Sequence, residues 1–174
     1  MRSSIGIDVA ADATVVFALA RDVTAWERLL PHYARSRPIR REPGGRSVVA
    51  FVARRPLPGP FGLLGLGLPV AWRARCWSEP ATDGRPARLR FVHLAGATRG
   101  MDVTWSIEPR SGGCRVTIEH DFRPRLPGLA AAVDRWFTEP IAGRTLATFR
   151  TIAEATAAVD RWSSPAARRP AGVP

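Results

Sequence analysis

Between Pro69 and Arg123 the chain runs through four segments, PVAWRARCWSE, ARLRFVHLAG, MDVTWSIEPR and CRVTIEHDFR, in which apolar and polar residues alternate. A period of two sends successive side chains to opposite faces of an extended strand, so each segment has one apolar and one polar face. The turn-forming stretches PATDGRP, GATRG and RSGG separate them, which predicts a meander of antiparallel hairpins. A sheet with one apolar face must bury that face against another layer. The chain supplies such a layer in a helical segment over about 129–162, with an interruption expected near Pro140, whose ring and missing N–H break a helix. In its second part Ile141, Thr145 or Leu146, Phe149, Ile152 or Ala153, and Thr156 share one face.

The first third fits the same plan. Ile5, Ile7 and Val9 fall on one face of a first strand over 3–9, and Asp12 is a natural N-cap for a short helix over 13–20. A second short helix, VTAWERLL, stops at Pro31, and YARSRPIRRE and SVVAFVARR read as strands joined by the turn EPGGRS. The fold class is therefore α+β: a curved antiparallel sheet of about seven strands around a long C-terminal helix, with two short helices after the first strand. At 174 residues the chain suffices for one core and is short for two. Residues 1–162 are expected to form a single domain, and the low-complexity stretch 163–174 a disordered tail.

Composition removes several function classes. The net charge is +11, but all 26 basic residues are arginine and none is lysine, a bias that a GC-rich genome imposes on codons. The arginines are scattered rather than clustered with exposed aromatics, which argues against nucleic-acid binding. No uncharged apolar run is long enough to span a bilayer, and the opening residues lack the apolar core of a signal peptide. Two cysteines and three histidines without ligand spacing point to neither a disulfide framework nor a metal site, and no cofactor is expected. A reducing cytoplasm suits this cysteine usage.

Alternation assigns the inward face. It carries Phe91 and His93 on one strand, and Met101, Val103, Trp105 and Ile107 on the next. It also carries Cys114, Val116, Ile118, His120 and Phe122, and Val70, Trp72, Ala74 and Cys76, while Trp77 faces out. Two tryptophans, two histidines and two thiols among aliphatics make a mixed wall, either a packed core or an apolar cavity with a few polar groups. His120 and Asp121 are neighbours on a strand and so cannot form a simple acid–base pair.

The stretches VAADATVVFALARDVTAWERLLPHY, GATRGMDVTWSIEPRSGGCRVTIEHDF and EPIAGRTLATFRTIAEA resemble the polyketide cyclase/dehydrase (aromatase/cyclase) family of the START-like, Bet v 1-like helix-grip superfamily. The resemblance covers about residues 3–158. It implies a seven-stranded sheet gripping the C-terminal helix, with a cavity between them. In such cyclases the cavity binds a poly-β-ketone chain, free or presented by an acyl carrier protein, and directs aldol cyclisation and dehydration. Relatives bind quinones or lipids without chemistry. Trp26 and Tyr33 match the family's tryptophan and tyrosine, and Trp72 and Trp105 its pocket-lining tryptophans. The family's arginine, four residues after the Trp72 counterpart, is replaced by Cys76.

Without that arginine, an aldol closure still needs a base for the α-proton and a donor for the accepting carbonyl. Tyr33 is the candidate donor, His93 the candidate shuttle because histidine titrates near neutrality, and His120 a second shuttle. Trp26, Arg54, Phe61, Leu64, Trp72, Cys76, Phe91, Met101, Trp105 and Phe149 are the candidate substrate-binding residues. The uncharged stretch LPGPFGLLGLGLPVAW, 57–72, joins the third and fourth strands. Gly62, Gly65 and Gly67, in the order G-x-x-G-x-G, reverse a dinucleotide fingerprint, and no helix follows. A lid, a contact for a carrier protein or membrane surface, and a loop packed over the barrel end all fit it. Both a monomer and a homodimer are compatible with the fold.

Overall fold

The computed structural model describes residues 2–56, 67–124 and 128–163. Seven strands form one antiparallel sheet: β1 (Arg2–Val9), β2 (Tyr33–Glu42), β3 (Arg46–Pro56), β4 (Gly67–Glu79), β5 (Ala87–Ala95), β6 (Asp102–Arg110) and β7 (Gly113–Asp121). Their order is β1-β7-β6-β5-β4-β3-β2, a meander whose last strand pairs with the first. The register sets Phe51 opposite Trp72, Cys76 opposite Phe91 and Val103 opposite His120. Aromatic residues from neighbouring strands thus meet on one face, where such cross-strand pairs stabilise a sheet.

Helices α1 (Ala13–Arg21) and α2 (Trp26–Leu29) follow β1, linked by a 3-10 turn at Val23–Ala25. Asp12 caps α1, its Oδ1 accepting from the backbone N–H and hydroxyl of Thr14, each at 2.7 Å. The C-terminal layer begins as α3 (Leu129–Val133), widens into a π-helical turn at Asp134–Thr138 and continues as α4 (Glu139–Ser163). The expected break near Pro140 is thus a wide turn completed just ahead of it: the Glu139 N–H donates to the Asp134 carbonyl. Pro140 has no N–H to donate backward, so an irregularity upstream of it costs no further hydrogen bond.

Ala142, Thr145, Leu146, Phe149 and Ala153 form the buried face of α4 against the sheet. Glu154 ties the helix to the end of β1 by accepting from the Ala10 N–H at 3.0 Å. No helix among the described residues is long and apolar enough to cross a membrane. The expected tail lies almost wholly outside the described residues.

Candidate functional site: an aromatic cavity with two polar corners

Between the concave sheet face and α4 lies a cavity of about 80 Å³. Trp26, Tyr33, Phe51, Trp72, Phe91 and Trp105 supply its aromatic wall among the described residues. Trp26 is the hub. Its ring lies 5.4 Å from Tyr33 and Trp105, and 5.7 Å from Phe91 and Phe149. Its indole N–H donates to the Ala20 carbonyl at 3.0 Å, so the end of α1 holds it and none of its polar capacity is free for a ligand. Trp72 stacks between Phe51 (5.3 Å) and His93 (5.9 Å), a three-ring ladder across β3, β4 and β5.

One polar corner forms where the start of β2 meets α4: Tyr33 and Thr145 line the cavity, and His32 lies against both. His32 is buried, and its Nε2 lies 2.9 Å from the Thr145 hydroxyl. That hydroxyl donates to the Ile141 carbonyl at 2.8 Å, so it accepts from His32 and assigns the ring proton to Nε2. Burial raises the Tyr33 phenol well above its ordinary pKa, with Thr145 acting in the opposite direction. Tyr33 is a neutral donor at any physiological pH.

The second corner gathers His93, Thr98, His120 and Thr138. His93 Nδ1 lies 2.6 Å from the Thr98 hydroxyl, in a turn held by the His93 N–H donating to the Met101 carbonyl at 2.9 Å. Gly96 allows that turn to approach β4. Its φ is +97°, and a Cβ there would sit 2.6 Å from the Ala71 carbonyl oxygen. His120 Nδ1 and the Thr138 hydroxyl are buried without a hydrogen-bond partner.

All three histidines are held neutral. Burial pushes His93 down to about 3, with His120 adding to the effect. Burial lowers His120 to about 4 against the upward pull of Asp134, and lowers His32 to about 4 with help from Arg144. The expectation that His93 titrates near neutrality is corrected, because an imidazolium in this apolar wall lacks the hydration that would stabilise it. Cys76 is a buried thiol pushed up to about 12 by desolvation.

Tyr33, His93, His120, Trp26, Trp72, Phe91, Met101 and Trp105 therefore meet around one cavity. Cys76 and Phe149 are buried behind its wall, Phe149 against Trp26 and Trp105. Arg54 is exposed. Phe61 and Leu64, with most of the glycine-rich stretch, lie outside the described residues. Thr145 falls on the helix face the sequence assigned, whereas alternation did not reach His32, Thr98 or Thr138, because none lies on a strand whose inward face it assigned. Among the described residues no group of His, Cys, Asp and Glu could hold a metal ion.

The model of one family, described as polyketide cyclase / dehydrase and lipid transport, matches residues 9–150. Solved structures share the fold. The Zhui aromatase/cyclase from Streptomyces sp. R1128 superposes with a TM-score of 0.64 at 17% identity, covering 99% of each chain. A START superfamily protein from Mycobacterium smegmatis gives 0.66 at 15%, covering 89% of this chain and 98% of that one. A STAR-related lipid transfer protein from Xanthomonas axonopodis gives 0.59 at 18%, covering 87% and 85%. No curated protein matches in sequence.

Proposed function

This chain belongs to the polyketide cyclase / dehydrase and lipid transport family, and from that premise we propose that its cavity takes up a poly-β-keto acyl chain, free or tethered to an acyl carrier protein, and directs its aldol cyclisation and dehydration. The observation that carries the reading is the pair of unpartnered polar atoms, His120 Nδ1 and Thr138 Oγ1, in a mainly apolar wall whose other polar side chains include the hydrogen-bonded His93, Thr98 and Thr145. Buried polar groups are as a rule hydrogen-bonded, and a ketone- or hydroxyl-bearing ligand supplies the missing partner.

Positioning is the main contribution. The methylene between two ketones is acidic without help, and holding two reacting carbons together is worth up to about 7–11 kcal/mol in well-oriented systems. Tyr33 donates to a ketone, while neutral His93 and His120 accept or relay a proton over short distances. An imidazole with a pKa of about 3 is a weak base, so His93 works only on an already acidic carbon. The free space of about 80 Å³ is below the ~300–1,000 Å³ usual for small-molecule sites. A long chain therefore enters by displacing wall side chains, and Trp72, only half-buried, is the first candidate.

Two observations favour a second reading, non-catalytic carriage of a hydrophobic ligand such as a quinone, lipid or polyketide: the thiol of Cys76 where the family's arginine would stand, and the weak basicity of the histidines. Product analysis with a reconstituted minimal polyketide synthase separates the two. A changed product distribution, weakened by Tyr33→Phe and His93→Ala more than by Trp77→Phe, supports the cyclase. An unchanged distribution across several chain lengths leaves carriage.

A further inference from the structure

We propose that Arg55 is the anion-binding residue of this cavity, anchoring the carboxylate or phosphate of an amphipathic ligand whose apolar body lies among the aromatic rings. The inference rests on the cavity being a ligand site, as proposed above. Val49, Phe51 and Ala53 are buried on the concave face, and Arg55 follows them at two-residue spacing on the same strand. Ala53 pairs in register with Val70, which lines the cavity, so Arg55 stands one step further out, at the cavity's rim. Arg54, the exposed neighbour, belongs to the opposite face.

Across the rim stands the π-helical turn. The Arg55 guanidinium carbon lies 4.7 Å from the ring centroid of Trp136, two residues before the cavity-lining Thr138. A guanidinium stacked on an indole keeps its N–H edge free, and that planar edge matches carboxylate and phosphate oxygens. Arg55 Nε is buried without a hydrogen-bond partner. No ion pair among the described residues includes Arg55, and the acid on the facing turn, Asp134, accepts instead from the Ser3 hydroxyl at 2.7 Å. The stretches outside the described residues contain no Asp or Glu. A cation at the rim of an apolar cavity, oriented by an aromatic and without a counter-charge among the described residues, is complementary to a ligand anion.

Calorimetric titration with decanoate, decyl phosphate and decan-1-ol, three ligands with one tail and different heads, tests this. Wild type is expected to bind at least one anion about ten-fold or more tighter than the alcohol, the size of a charge-assisted hydrogen bond. The stronger anion then identifies the source, a free acid or a phosphate-bearing molecule. Arg55→Gln should abolish the preference while leaving decan-1-ol affinity unchanged, and Arg54→Gln should preserve it. If Arg55→Gln does not fold, Trp136→Ala, at a half-exposed position, should reduce the preference instead. Equal binding of all three ligands overturns the role of Arg55 and leaves the cavity reading standing. A preference lost in Arg54→Gln but kept in Arg55→Gln also overturns it. Binding of none of the three overturns the cavity reading together with this one.

Discussion

The two polar corners of the cavity contain the same residue types and differ in how far their hydrogen bonds are satisfied. Around His32 the chain of donors is closed: the imidazole donates to Thr145, and Thr145 donates to the Ile141 carbonyl. Around His120 it is open, with two buried atoms unpartnered. A closed network fixes α4 against the start of β2 and gives a ligand little to bind. An open one is costly to the free protein and valuable to a complex, because each unsatisfied group carries a desolvation penalty that a ligand oxygen relieves. The first corner is expected to govern stability and the second recognition.

The largest test strikes both corners together. Each histidine has a folded pKa depressed below its unfolded value near 6.5, so between pH 6.5 and about 4 the unfolded chain binds protons that the folded chain does not. Stability is therefore full above pH 6.5 and falls as pH drops through this window. The slope is about 1.4 kcal/mol per pH unit for each histidine. Denaturant melts at pH 7, 6 and 5 measure it. His32→Gln should reduce the slope by about that one increment, and a pH-independent midpoint would show that the imidazoles are not neutral by burial. Trp26→Ala comes next. It removes the hub that touches Tyr33 at one corner and Trp105 in the facing wall. A loss of about 3–5 kcal/mol is expected by urea denaturation.

The sheet and the inward faces were legible because period-two alternation is a property of each strand alone. Phe91, Met101, Trp105, Ile118 and His120 all fall where it put them. The first corner was less legible because it joins a loop to the C-terminal helix across more than a hundred residues, from His32 to Thr145. No local period encodes such a meeting. Arg55 was within reach of the same alternation, counted on from Phe51. The protonation states were not legible either. A histidine's direction is a matter of sequence period, whereas its pKa depends on how completely the sheet and helices exclude water.

The corners separate most cleanly through two isosteric substitutions, Thr145→Val and Thr138→Val. Both exchange a hydroxyl for a methyl in the wall of one cavity, on consecutive parts of one helical layer. Thr145→Val leaves His32 Nε2 buried without its acceptor, so urea denaturation should show a loss of about 1–3 kcal/mol. Thr138→Val removes a hydroxyl that has no partner to lose. Its stability should be unchanged or raised by up to about 1 kcal/mol, since a buried unsatisfied group is replaced by an apolar one. Ligand affinity should show the reverse order, with Thr138→Val weakening a keto-bearing probe such as 2-acetylnaphthalene and sparing naphthalene itself. Equal destabilisation by both variants would mean that the Thr138 hydroxyl is already satisfied in the free protein, and the distinction between a closed and an open corner would then be lost.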